Sequence, residues 1–247
     1  MVIKFICEYD GKGFNGFQRQ KELRTVQSVL ETAISKYIGV NINIVASGRT
    51  DTGVHASNQV CSFSIGRDLA GKFAATKLLH KAETAINHFL PADVAIRNLE
   101  IAPDDFHARY SAKSKTYIYK CYVSTSRRPL FDDTHLQLYT KPNVALMQEA
   151  SRVLIGTHDF KSFSSVQTDK TNFVRTIHDL MVIESGEEVL FIIKGNGFLR
   201  NMVRIIVGTL LEIESVEQMQ KILAGKNRKL AGKTAVAKGL ILHHVEY

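Results

Sequence analysis

The stretch SGRTDTGVHA at residues 47–56 gathers a cation, a carboxylate, two threonine hydroxyls and an imidazole in one glycine-framed segment. Gly48 and Gly53 let the backbone turn tightly and offer amide donors, so Asp51 stands where an anion is both tolerated and aimed. A plain connection needs only polar filler, yet Arg49 lies two positions before the acid and His55 four after it. A second arginine, Arg204, sits in the run NGFLRNMVRIIVG, among apolar neighbours that favour a carboxylate partner for it. Pairing with Asp51 would keep the acid ionised and directed, as a nucleophilic carboxylate must be.

The other motif-like patterns fail on spacing. Gly11, Gly13 and Gly16 spell GxGxxG, but FQRQKELR follows them and helical spacing begins only near Val26. A dinucleotide site needs its helix to start within the glycine run. AGKT at 231–234 lacks the earlier glycine of a phosphate-binding loop, that position being Asn227, and no strand precedes it. His243 and His244 are adjacent in a strand and point to opposite faces, which cannot chelate one metal. Asp104 and Asp105 read as the start of a turn after Pro103. Cys7, Cys61 and Cys121 show no CxxC and lie in apolar alternating runs, so buried thiols in a reducing cytosol are expected.

These residues must be held by a scaffold. Residues 2–9 alternate as a strand, and Val26, Val29, Leu30, Ala33, Ile34 and Tyr37 recur at helical spacing behind a Thr25 cap. Strands over 41–46 and 58–65, a helix over 69–89 closed by Pro91, and a strand over 94–101 complete a β-α-β-β-α-β order. The second half repeats it. A strand at 116–123 is followed by a helix at 144–155, a hairpin at 176–184 and 189–195, helices at 198–213 and 216–223, and a strand at 239–246. The expectation is an α/β (α+β) chain of two ferredoxin-like halves, 1–105 and 106–247, with largely antiparallel sheets and a central cleft. The first half carries the Asp51 loop; the second carries Tyr117 and Arg204. Residues 10–24, 124–140 and 156–175 read as loops too long for simple connections, a length that tends to be functional.

Among 247 residues, 32 Lys+Arg face 24 Asp+Glu, a formal charge of +8 that favours a polyanionic partner, nucleic acid before membrane. Lys12, Arg19, Lys21, Arg24, Arg127, Arg128, Lys161, Lys170 and Arg175 place part of that charge in the long loops, as a surface tracking phosphates. MVIKFICEYD reaches Glu8 and Asp10 too soon for a signal peptide, and the run containing Arg200 and Arg204 is too short and charged to span a bilayer. A cytoplasmic protein is expected.

GRTDTGVHA, the upstream YDGKGFNGFQRQ, the segment DDFHARYSAKSKTYIY and NGFLRNMVRIIVG together, and in this order, closely resemble the TruA-type pseudouridine synthase family. The likeness runs from Tyr9 to Leu242; Thr52 stands where alanine is common and Phe17 where tryptophan is common. The resemblance implies an isomerase, an intramolecular transferase, that converts uridine to pseudouridine in the anticodon arm of tRNA. It implies no cofactor and no metal, a tRNA anticodon stem-loop as partner, and a homodimer. Carried over by position, Asp51 is the nucleophile, Tyr117 packs on the base and assists proton removal, Arg204 pairs with Asp51, and Arg49 serves base flipping. Arg19, His55 and Arg109 join Tyr117 as substrate-binding residues. Whether Asp51 attacks the ribose C1′ or the uracil C6 stays open. A non-catalytic RNA-binding module on the same fold would have little use for an acid near phosphates, and a nucleotide-dependent enzyme would need the glycine motifs rejected above.

Overall fold

A computed structural model describes residues 1–73, 75–165 and 172–247. Lys170, one of the loop cations named above, lies outside the described residues. The chain divides into two compact units, Met1–Lys113 with Leu242–Tyr247, and Ser114–Ile241.

In the first unit β1 (Val2–Tyr9) alternates as its sequence dictates: Ile3, Phe5, Cys7 and Tyr9 are all buried on one face. It is the inner strand, antiparallel to β3 (His55–Ser64) on one side and to β4 (Val94–Ala102) on the other. The short β2 (Val45–Ala46) extends β3, giving the order β4-β1-β3-β2 of a ferredoxin-like sheet. Helix α1 (Val26–Ile38) starts at Thr25, whose side chain accepts from the Ser28 amide, and ends at Gly39 in the left-handed region, φ 92°. Helix α2 (Thr76–Phe89) lies against α1 and β4, where the Asn87 amide bonds both the N–H and the C=O of Ile96 at 2.8 Å.

Two expectations are corrected here. The strand foreseen over 41–46 shrinks to Val45–Ala46, because helix side chains take its amides: Ser35 accepts from Ile42 and Glu31 from Ile44. The helix foreseen from 69 begins at Thr76. Before it a 3₁₀ segment, Arg67–Phe73, delivers the fully buried Phe73 to the rings of Tyr37 and Phe63, and Ala75 is extended.

The second unit has β5 (Ser114–Val123), β9 (Glu188–Gly195), β8 (Val174–Ser185) and β7 (Gly156–Asp159) in that antiparallel order. A Gly186–Glu187 turn with Gly186 at φ 60° joins β8 to β9. Strand β6 (Leu136–Leu138) runs parallel to the end of β5. Strands β6 and β7 lie in stretches that read as loops, being too short for periodicity to register. Helices α3 (Val144–Arg152), α4 (Met202–Leu211) and α5 (Val216–Gly225) follow the foreseen order, and α4 starts later than residue 198 because Asn201 is left-handed, φ 61°. The last strand, β10 (Leu240–Glu246), passes into the first unit at Leu242.

The three cysteines are buried thiols. His135 is buried too, stacked on Phe131 and bonded through Nε2 to Glu188 at 2.7 Å. Among the described residues no helix is long and apolar enough to cross a membrane.

Candidate active site

Asp51 lies in the connection from β2 to β3. The Val54 amide donates to the Asp51 carbonyl at 3.1 Å, closing a turn in which Gly53 supplies the positive φ of 77° that a type II turn requires. Just ahead of that turn Arg49 is exposed and Thr50 is buried, and Asp51, which opens it, is half-buried. Its upstream end is anchored by the fully buried Gln59, which accepts from the Ser47 hydroxyl at 2.5 Å and donates to the Gly48 carbonyl at 2.9 Å.

The loop 10–24 braces the turn from the other side. Gly11 presses so closely on the Val54 carbonyl that a Cβ would collide with it. Gly16, at φ 83°, would set a Cβ 2.9 Å from the Thr50 oxygen. The Phe17 amide donates to that oxygen at 3.1 Å. The glycine run that failed as a nucleotide motif is thus a backbone-to-backbone contact with the Asp51 turn. The loop is itself closed at its neck. Arg24 grips Asp93 with two bonds of 2.8 Å and lies over the Phe14 ring, and its guanidinium holds the Asp93 carboxyl below the usual range.

Of the residues assigned to substrate, His55 is turned inward, and Arg19, though exposed, is paired with a buried acid. His55 is 4% exposed; its Nδ1 accepts from the Gly11 amide at 3.1 Å and lies as near to Asp10 Oδ1. Acceptance from Gly11 needs Nδ1 bare, whereas a proton there would direct the ring to Asp10. Arg19 forms an ion pair with Glu31, which is buried on α1. Arg109 is exposed beside Tyr110, in a turn where His107 Nδ1 accepts from the amides of both.

In the second unit Tyr117 on β5 is 8% exposed and meets the Phe198 ring edge-on, centroids 5.2 Å apart. Arg204, half-buried on α4, donates from Nε to the Ala235 carbonyl at 2.7 Å and from Nη1 to Asn201 Oδ1 at 3.1 Å. The Ala235 amide returns a bond to the Arg204 carbonyl at 3.0 Å. The segment that holds Arg204 continues the AGKT stretch. Gly232 donates to Thr209 Oγ1 at 3.0 Å, Gly208 leaves no room for a Cβ against the Lys233 carbonyl, and Arg228 binds the carbonyls of Ala231 and Gly232. Here again a glycine-rich stretch that mimics a phosphate loop is packing, this time behind Arg204.

A family model described as tRNA pseudouridine synthase matches residues 5–111 and 150–247. The chain belongs to the tRNA pseudouridine synthase family. It is 42% identical over 250 aligned positions to tRNA pseudouridine synthase A of Anoxybacillus flavithermus, covering 99% of this chain and 98% of that one. It is 44% identical to the Halalkalibacterium halodurans protein of that name, covering 94% and 88%. The Shouchella clausii protein of that name is also 44% identical, with 97% and 90% covered. Family membership makes the chain an isomerase of uridine in tRNA. Asp51 and Arg204 fall within the matched pseudouridine synthase segments, while Tyr117 falls between them. Sequence reasoning gave no role to Gln59, a fully buried amide in the otherwise largely apolar β3, or to the hydroxyls of Tyr9 and Ser47 that the fold turns inward.

Proposed function

We propose that this chain isomerises uridine in the anticodon arm of tRNA, with Asp51 as the nucleophile. The observation that supports it is the Asp51 turn: a half-buried carboxylate on backbone fixed from two sides, beside an exposed arginine. A base in a stem is stacked, so it must leave the stack before its ring can turn, and Arg49 is the side chain suited to fill the space. Asp51 attacks C1′ or C6, the glycosidic C1′–N1 bond breaks, the uracil rotates, C5 bonds to C1′, and the bond to Asp51 breaks so that the free carboxylate returns. The C5 proton leaves and N1 takes one up, so the product has the composition of the substrate. Tyr117 offers a ring face to the loosened base and a hydroxyl near the C5 proton. Arg204 is the cation proposed to keep Asp51 ionised.

The exposed cations Lys12, Lys21, Arg109 and Arg127 suit phosphates, while Arg19 and His55 support substrate through the loop they hold. The working form is proposed to be a cytoplasmic homodimer, each chain carrying the acid in its first half, 1–105, and the partners of the acid in its second, 106–247. Incubation with unmodified tRNA, followed by mapping of pseudouridine, tests the reading. Asp51→Asn should bind tRNA and form no product; near-normal product from that variant would overturn it.

A further inference from the structure

We infer that Tyr9 and Thr50 form a hydroxyl clamp that positions the catalytic turn; the inference rests on Asp51 being the nucleophile. Tyr9 closes β1, a strand paired on both sides, and its hydroxyl lies 2.8 Å from Thr50 Oγ1 across 41 residues of sequence. Both residues are buried, at 3% and 7% exposure. The Tyr9 ring packs with Phe14 and Phe17, centroids 6.5 and 6.2 Å away, so a phenylalanine would fill the same space without bringing a polar group. Buried hydroxyls cost free energy unless bonded, and a bonded pair here gains direction rather than area.

Thr50 is the residue between Arg49 and Asp51. Its side chain, β-branched and stiff at χ1, is held by Tyr9, and its carbonyl by the Phe17 amide at 3.1 Å. With both groups fixed, the backbone has little freedom to tilt there, and the residues on either side take their direction from it. Misplacing a reacting group by about 1 Å costs on the order of a hundredfold in rate. Tyr9 and Thr50 therefore act through Asp51 and are positioning residues for the isomerisation.

The test is a double-mutant cycle of Tyr9→Phe and Thr50→Val, with Thr50→Ser as the conservative variant and Asp51→Asn run in parallel. Each is measured for kcat and KM on unmodified tRNA, for tRNA Kd, and for Tm. Each single variant should lower kcat by about ten- to a hundredfold while KM and Kd hold within about twofold. The double variant should be no slower than the slower single, since both remove one bond. Serine keeps the hydroxyl and should restore most of kcat. Wild-type kcat in Tyr9→Phe and Thr50→Val, with Asp51→Asn inactive, would overturn the clamp and leave the nucleophile standing. Additive losses, or no recovery in Thr50→Ser, would also overturn it. Normal turnover by Asp51→Asn would instead remove the reading on which the clamp rests.

Discussion

Arg19 carries its guanidinium to the carboxylate of Glu31, whose side chain is only 2% exposed, so a loop cation expected to meet RNA phosphates is engaged inside its own unit. Glu31 also accepts from Gln27 and from the Ile44 amide. Arg19→Ala leaves a buried charge short of its partner, a loss of about 1–3 kcal/mol after allowing for the half-exposed arginine and the two remaining bonds. Thermal unfolding should show a Tm lower by several degrees, and Glu31→Gln in the same background should recover part of it. A Tm unchanged in Arg19→Ala would show that the pair contributes nothing.

Tyr117 separates chemistry from packing. Tyr117→Phe keeps the edge-on contact with Phe198, so Tm should stay within a degree or two while product formation falls if the hydroxyl assists loss of the C5 proton. Tyr117→Ala should cost about 3–5 kcal/mol of stability as well. Wild-type turnover by the phenylalanine variant would assign Tyr117 to packing alone.

Arg204 is aimed by two acceptors, the Ala235 carbonyl and Asn201 Oδ1, reached from different nitrogens of one planar group. Lysine has the charge but not the fork, so Arg204→Lys should recover only part of the activity that Arg204→Leu loses. Equal and full activity in both would separate Arg204 from the reaction.

His135 gives a stability signal at mildly acidic pH. Burial is the main cause lowering its pKa from the ordinary 6.5, partly opposed by the Glu188 bond. The unfolded chain therefore takes up the proton first. The contribution is complete above the unfolded value and is lost as pH falls through it toward the folded one. Urea unfolding between pH of about 7 and about 5.5 should show declining stability, and His135→Gln should flatten that slope.

Arg109 tests the phosphate surface. Binding of folded tRNA should weaken linearly in log salt, and Arg109→Ala should weaken every tRNA about equally while reducing the slope by roughly one unit or less. An isolated anticodon stem-loop measured in the same series should retain much of the salt dependence. A salt-independent affinity would refute the surface.

What was legible in the sequence was whatever repeats at short range. The alternation of Ile3, Phe5, Cys7 and Tyr9 and the helical recurrence from Val26 both gave correct elements, since burial of one face imposes its period on the chain. The stretch 41–46 misled because Ile42 and Ile44 are buried as a strand's residues would be, while their amides are answered by α1 side chains. At the site, the two glycines around Asp51 marked a turn. Tyr9 with Thr50, Arg19 with Glu31 and Gln59 with Ser47 are pairs fixed by tertiary packing, and no periodicity announces such a pair. The false nucleotide motifs are instructive for the same reason. Glycine is needed wherever backbone meets backbone, and a phosphate is only one of the things a bare backbone can approach.

The return of Leu242–Tyr247 to the first unit sets a schedule for synthesis. The Lys113 amide donates to the Glu246 carbonyl at 2.8 Å, Asn58 donates to the His243 carbonyl at 2.7 Å, and the Tyr247 hydroxyl donates to the Ala108 carbonyl at 2.6 Å. None of these can form until the ribosome has translated the whole of Ser114–Ile241, a delay on the order of ten seconds at ordinary elongation rates. The nascent N-terminal unit therefore waits with the flank of β3 that β10 covers still open, a transient edge on which a chaperone or a neighbouring chain can act before the native strand arrives.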